Sequence, residues 1–315
     1  MFEWHVVFGT GPAGAATAKA LVEMGKQVRV VNRSGESNRL LPDSVEIVAA
    51  NVTDIPQAQR AAEGATVVYH CLNAPYHRWL ELFPGLQAGV LAAAESAGAR
   101  LVALENVYMY GQVDRPMTED MPYNAHTRKG RLRADLSRRL TEAHETGQVE
   151  VAIGRASDFY GPAVESALGE RTFIPLVAGK PAEMVGNPDM PHSYSYIEDV
   201  GRGLATLGTS EGTFGQIWHL PHAPALSTRQ IVGKAFEMAG LPVKTRTMGA
   251  LMMRIGGLFV PEAREVVEMM YEFNAPFIVD SSKFQKSFGS GYTSIEDGLR
   301  RTLAWYQELH GAASD

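Results

Sequence analysis

A short apolar run ends in a glycine-rich turn. His5, Val6, Val7 and Phe8 lead into Gly9, Thr10, Gly11, Pro12, Ala13 and Gly14, and a helical pattern continues from Ala15. No other stretch constrains the fold as tightly, because a strand that feeds a helix through three spaced glycines demands particular backbone. Gly9 takes the strained turn, Gly11 leaves the backbone open to a close ligand, and Gly14 lets helix and strand pack closely. The free N–H groups at the start of the helix then point at an anion. A turn that only joined strand to helix would not need all three glycines. In the strand-to-helix setting the pattern reads as a dinucleotide-binding fingerprint, with Gly9, Gly11, Pro12, Ala13 and Gly14 against the pyrophosphate.

The chain continues as alternating strand and helix patterns. The first helix stops at Gly25, a natural left-handed cap, and residues 27–31 form a second strand. Asn32 follows, with Arg33 beside it. An acidic side chain near this point would accept hydrogen bonds from ribose hydroxyls, whereas a neutral Asn32 and a cationic Arg33 suit a 2'-phosphate. NADP is therefore preferred, with NAD the lesser fit; a plain surface arginine is the other reading of Arg33. Residues 45–50 make a third strand, ending at Asn51 near the adenine, and Asp54 reads as a helix cap. The fourth strand, 66–71, delivers Leu72, Asn73 and Ala74 to the carboxyl edge of the sheet, where ligands of open α/β sheets bind. A helix over 80–97 and a fifth strand over 101–104 complete five alternations, which makes a doubly wound parallel sheet the expected fold.

The totals set bounds. At 315 residues the chain exceeds one usual core, and its net charge of −6 disfavours a nucleic-acid partner. A lone cysteine, Cys71, excludes an internal disulfide and sits in an apolar run, which implies burial. The first strand begins too early for a signal peptide, and no apolar run reaches the ~20 residues of a membrane span, so a cytoplasmic protein without membrane contact is expected.

Four later motifs appear in order: residues 107–111 (VYMYG), 155–162 (RASDFYGP), 193–200 (SYSYIEDV) and 293–306 (TSIEDGLRRTLAWY). With the glycine turn, they resemble the extended short-chain dehydrogenases/reductases of the NAD-dependent epimerase/dehydratase type over nearly the whole chain. The resemblance implies a Rossmann-type sheet of about seven strands, the seventh near 216–220. It also implies a smaller mixed α/β carboxyl-terminal domain that closes over a substrate. The division expected is residues 1–163 with 194–222 for the nucleotide, and 164–193 with 223–315 for the substrate.

Such enzymes carry a serine or threonine after the fifth strand and a Tyr-x-x-x-Lys pair on the next helix, the tyrosine acting as acid or base. Here Asn106 stands at the serine's place, facing the nicotinamide, and the helical segment from residue 127 puts Thr127 at the tyrosine's and Arg131 at the lysine's. Arg131 can bind ribose or phosphate, but Thr127 cannot titrate near neutral pH. Losing a positioned acid or base typically costs ~10²- to 10⁴-fold in rate. Replacement groups are Tyr108, Tyr110, Asp158 and Tyr160, with Tyr123 and His126 just before the helix. Tyr110 and Tyr160 also read as packing residues beside turn glycines, and Asp158 as a turn or cap residue. Lys129, two residues from Arg131, is expected at the solvent, and Asp199 as the N-cap of a helix over 200–207.

Toward the carboxyl end, Ser227 or Thr228 caps a helix, and Thr293 with Glu296 forms a capping box for the last one. Ser281, Ser282 and Lys283 read as a helix start, and methionines 252, 253, 269 and 270 as core or pocket lining. No metal site follows from the histidines. The resulting expectation is an NADP-dependent oxidoreductase or epimerase acting on a hydroxyl or carbonyl of a small or sugar-like molecule. The alternative is a non-catalytic NADP-binding sensor. A homodimer through the helices after the fourth and fifth strands is a further expectation of the resemblance.

Overall fold

The computed structural model describes residues 3–249 and 265–312. Its centre is a seven-stranded sheet of β1 (Trp4–Phe8), β2 (Gln27–Asn32), β3 (Glu46–Ala49), β4 (Ala65–His70), β5 (Arg100–Glu105), β6 (Val151–Arg155) and β11 (Ile217–His219). The spatial order is β11-β6-β5-β4-β1-β2-β3, and every pairing is parallel. The chain runs outward from β1 on one side and returns to add β4, β5, β6 and β11 on the other. This reversal beside β1 opens a crevice at the carboxyl edge, where a parallel sheet receives ligands.

Alternate residues of the strands face opposite layers, which is why the sheet is buried on both sides. Val6, Phe8, Val68, Leu101 and Ile153 pack against the helices α2 (Ile55–Ala61), α3 (Trp79–Ala97) and α4 (Arg128–Glu145). Val7, Val30, Val67, Val102 and Ala152 pack against α1 (Pro12–Glu23) and α6 (Ile197–Thr209). Cys71 is buried in this second layer, as its apolar setting implies.

A separate core forms between α5 (Glu170–Val177), α7 (Thr228–Met238) and α10 (Ile295–Ala312), built on Phe173, Leu176, Ile231, Phe236, Leu299 and Leu303. Three small sheets serve this part: β7 (Asp158–Tyr160) pairs with β10 (Tyr194–Tyr196), β8 (Ala182–Val185) with β13 (Thr245–Met248), and β9 (Pro191–His192) with β12 (Leu226–Ser227). Helices α8 (Tyr271–Asn274) and α9 (Ser282–Phe288) complete the described elements. Among the described residues no helix is long and apolar enough to cross a membrane.

Several local expectations meet their geometry here. Asp54 caps α2, Ser227 and Gln230 form a reciprocal capping box on α7, and Ser282 begins α9. Two others move. Asp199 is not an N-cap, because α6 starts two residues earlier; its buried carboxylate instead accepts bonds from the backbone N–H and hydroxyl of Thr293, both at 2.7 Å, and pairs with Arg202. Thr293 is thereby occupied, and Ser294 with Asp297 caps the last helix in place of Thr293 with Glu296. Methionines 252 and 253 lie outside the described residues, whereas Met269 and Met270 are buried.

Candidate active site

The glycine turn has a distinct geometry at each glycine. Gly9 has φ +107°, which an L side chain rarely adopts, and a Cβ there would meet the Cys71 carbonyl at 2.8 Å. A Cβ at Gly14 would fall 2.0 Å from the Gly9 carbonyl oxygen, so helix and turn touch backbone to backbone. At Gly11 nothing lies within 4 Å of the same position. Gly11 also caps α1 with no side-chain acceptor, and Pro12 follows it, so the N–H groups of the first turn have no side-chain cap. An uncapped helix start behind a cradle that a single methyl would fill suits a pyrophosphate. Ala13 and Gly14 are buried in that first turn.

The flanking residues extend the cradle along the strand ends. Asn32 holds the loop after β2: its Oδ1 accepts from Gly35 N at 2.6 Å, and its Nδ2 donates to Thr10 Oγ1 at 3.3 Å and Glu36 O at 2.9 Å. Arg33 is exposed and makes no ion pair among the described residues. Asn51 is also exposed, its Oδ1 accepting from the Thr53 N–H and hydroxyl. After β4, Leu72 is half-buried and Asn73 exposed, while the carbonyl of buried Ala74 accepts from Trp79 Nε1 at 3.0 Å. After β5, Asn106 Oδ1 accepts from Tyr108 N at 3.3 Å. These residues line the carboxyl edge of the sheet from β2 across β1 to β4 and β5.

The two residues that the resemblance sets at the places of the usual acid and its lysine are otherwise engaged. Thr127 is the N-cap of α4, its hydroxyl accepting from Gly130 N at 3.0 Å. Arg131 is exposed and donates to the His126 carbonyl at 2.7 Å. Lys129, expected at the solvent, is fully buried. Its offset from Arg131 turns it inward, where it pairs with Glu265 and, at 3.0 Å, with Glu268, and its ammonium lies 4.5 Å from the centre of the Tyr76 ring.

Five polar side chains gather past the ends of β4, β5 and β6: Tyr76, Tyr108, Asp158, Tyr271 and Glu272. The Asp158 and Glu272 carboxyls each act electrostatically on Tyr76, Tyr108 and Tyr271, and Asp158 acts on Glu272. Asp158 accepts from His192 Nε2 at 3.1 Å, and His192 is stacked between rings including Tyr194 and Phe277. Tyr108 stacks on Trp79 and Tyr271 packs edge-on to His126. Burial raises the Tyr76 and Tyr108 hydroxyls well above their ordinary range, so both stay protonated donors. Burial and the Asp158 charge likewise raise the Glu272 carboxyl well above the usual carboxylate range.

Two of the candidate tyrosines are placed elsewhere. Tyr110 belongs to a buried chain in which Arg155 donates to its hydroxyl at 2.5 Å and that hydroxyl donates to His219 Nε2 at 2.8 Å. His219 in turn donates from Nδ1 to the Asp280 carbonyl at 3.0 Å, and Arg155 also pairs with Glu105. Tyr160 packs on Tyr196 and α10 in the carboxyl-terminal core. The geometry thus brings Tyr108 and Asp158 together and keeps Tyr110 and Tyr160 apart from them. It adds Tyr76, His192, Tyr271 and Glu272, which the sequence reading passed over. The signal for Glu272 was one acid inside the apolar and aromatic run Met269-Met270-Tyr271-Glu272-Phe273.

With this geometry in hand, comparison with known families is decisive. Residues 6–218 match the model of the NAD dependent epimerase/dehydratase family. The chain belongs to that family. Solved structures agree in fold. A UDP-glucuronic acid 4-epimerase from Bacillus cereus, in complex with UDP-glucuronic acid and NAD, has a TM-score of 0.78 at 16% identity, covering 97% of this chain and 99% of that one. The dTDP-glucose 4,6-dehydratase DesIV from Streptomyces venezuelae, with NAD and TYD bound, has a TM-score of 0.78 at 20% identity, covering 98% of each chain. The epimerase Mth375 from Methanothermobacter thermautotrophicus has a TM-score of 0.79 at 18% identity, covering 99% of this chain and 94% of that one. No curated protein matches by sequence.

Proposed function

We propose that this chain is an NADP-dependent oxidoreductase or epimerase acting on a hydroxyl or carbonyl group of a small or sugar-like molecule. One observation carries the reading: the open cradle on β1 and the polar cluster past β4, β5 and β6 lie along a single carboxyl edge of one sheet. Gly9 to Gly14 would hold the pyrophosphate of a dinucleotide and Arg33 its 2'-phosphate, and the cofactor would supply hydride transfer when bound. Family membership and the sugar nucleotides held by the similar enzymes support a sugar-like substrate. The chain's own part is to orient the substrate with Tyr76, Tyr108 and Asp158, and to exclude water with Trp79, Phe273 and Phe277. Residues 164–193 and 223–315 form the substrate side in this reading.

The Thr127 cap favours a second reading, a non-catalytic NADP sensor, because the usual acid has no titratable group at that place. The two separate on turnover. The full chain is supplied with NADPH and a panel of aldehydes and ketones, followed by absorbance, and with nucleotide sugars, followed by product NMR. Conversion of any of them supports the enzyme. Cofactor binding without conversion of any of them supports the sensor.

A further inference from the structure

Glu272 stands out among the buried groups of this chain. It is 1% exposed, neither carboxyl oxygen is in a well-aligned hydrogen bond, and the buried hydroxyl of the adjacent Tyr271 approaches it, likewise without a well-aligned bond. The buried Arg155 and Lys129 are both paired with carboxylates, and among the described residues no cation neutralises Glu272. The groups facing it are Asp158 from β7, Tyr76 from the loop after β4, Tyr108 from the loop after β5, and Tyr271 on its own element. A buried acid with neither a cation nor a well-aligned hydrogen bond costs stability. Such a group is kept neutral by its surroundings and is suited to donate a proton at neutral pH.

We propose that Glu272 is the proton-transferring residue of this enzyme, in place of the side chain absent at Thr127. The inference rests on the enzymatic reading above. In the reductive direction the Glu272 carboxylic acid gives its proton to a substrate carbonyl oxygen as the carbonyl carbon receives hydride from a reduced nicotinamide. The C=O double bond becomes a C–O single bond with new C–H and O–H bonds, and Glu272 is left as a carboxylate that regains a proton from water. In the oxidative direction the Glu272 carboxylate accepts the hydroxyl proton as hydride leaves the same carbon for an oxidised nicotinamide. The Tyr271 hydroxyl beside it donates to the same substrate oxygen. Asp158, held by His192, orients a neighbouring hydroxyl.

Glu272→Gln and Glu272→Asp variants test this, both as holoenzymes and without cofactor. Infrared difference spectra of the cofactor-free chain at neutral pH should contain a protonated-carboxyl stretch that Glu272→Gln removes and Glu272→Asp retains or shifts. Glu272→Gln should lower carbonyl reduction by ~10²- to 10⁴-fold, with NADPH affinity and thermal melting unchanged or improved, and Glu272→Asp should recover part of the rate. Wild-type-like turnover in Glu272→Gln, or no carboxyl stretch lost, overturns the assignment while the enzymatic reading stands. A wild-type chain that binds NADPH and converts nothing overturns both.

Discussion

Gly11 and Gly14 stand three residues apart in one turn, yet the structure assigns them opposite physical roles. Alanine at each position separates those roles. At Gly14 the new methyl would sit 2.0 Å from the Gly9 carbonyl oxygen, a backbone atom that moves only if the turn itself moves. Overpacking of this kind costs about 1–3 kcal/mol, and the better helix propensity of alanine offsets at most ~1 kcal/mol of it. Gly14→Ala should therefore melt a few degrees lower. At Gly11 the backbone has φ −69° and ψ −178°, open to any residue, and the methyl meets nothing within 4 Å. Gly11→Ala should keep its stability to within about 1 kcal/mol, the ordinary effect at an N-cap. Its methyl occupies the approach to the first-turn N–H groups, where charge-assisted bonds to a phosphate are worth about 1.5–3 kcal/mol. NADP affinity should fall ~10- to 150-fold. Thermal melts and calorimetric titrations of both variants give the answer. Unchanged NADP affinity in Gly11→Ala would refute the cradle, and a wild-type melt in Gly14→Ala would refute the close packing.

Three further outcomes follow from other parts of the molecule. Arg33→Ala should weaken NADP by ~10-fold or more while leaving NAD unchanged, since only the 2'-phosphate loses a charge-assisted bond; equal effects on both cofactors would remove Arg33 from that role. Arg155→Ala leaves Glu105 buried at 3% exposure without its cation, and denaturant unfolding should record a loss of about 3–5 kcal/mol. Burial and the Arg155 charge lower His219 from 6.5 to about 3, so its stabilising neutral form is fully present above about 6.5 and is lost as pH falls toward about 3. Unfolding free energy should decline across that window, with a shallower slope in His219→Gln.

The parts of this protein legible in its sequence are those where neighbours in the chain decide the geometry. The glycine turn, the Asp54 cap and the Ser227 box each close within a few residues, and the alternation of strands and helices carries the sheet order with it. Local sequence does not bury Lys129, because burial of that helix face depends on Glu265 and Glu268, which arrive more than a hundred residues later. Asp199 looks locally like an N-cap, but its partner, Thr293, is comparably remote. Tyr110 and Tyr160 share the same local setting, a tyrosine just before a turn glycine, and only tertiary packing gives one a polar chain and the other an apolar core. Glu272 is the strongest case. Its sequence neighbour Tyr271 approaches it, but its meaning comes from Asp158, Tyr76 and Tyr108, which three different strands deliver.

The central claim is that the edge from Gly9 to Asn106 holds a dinucleotide with a 2'-phosphate. Calorimetric titration of the full chain with NADP and with NAD tests it most directly. Saturable one-to-one binding, tighter for NADP than for NAD, is the expected result. Binding of neither cofactor would contradict the account.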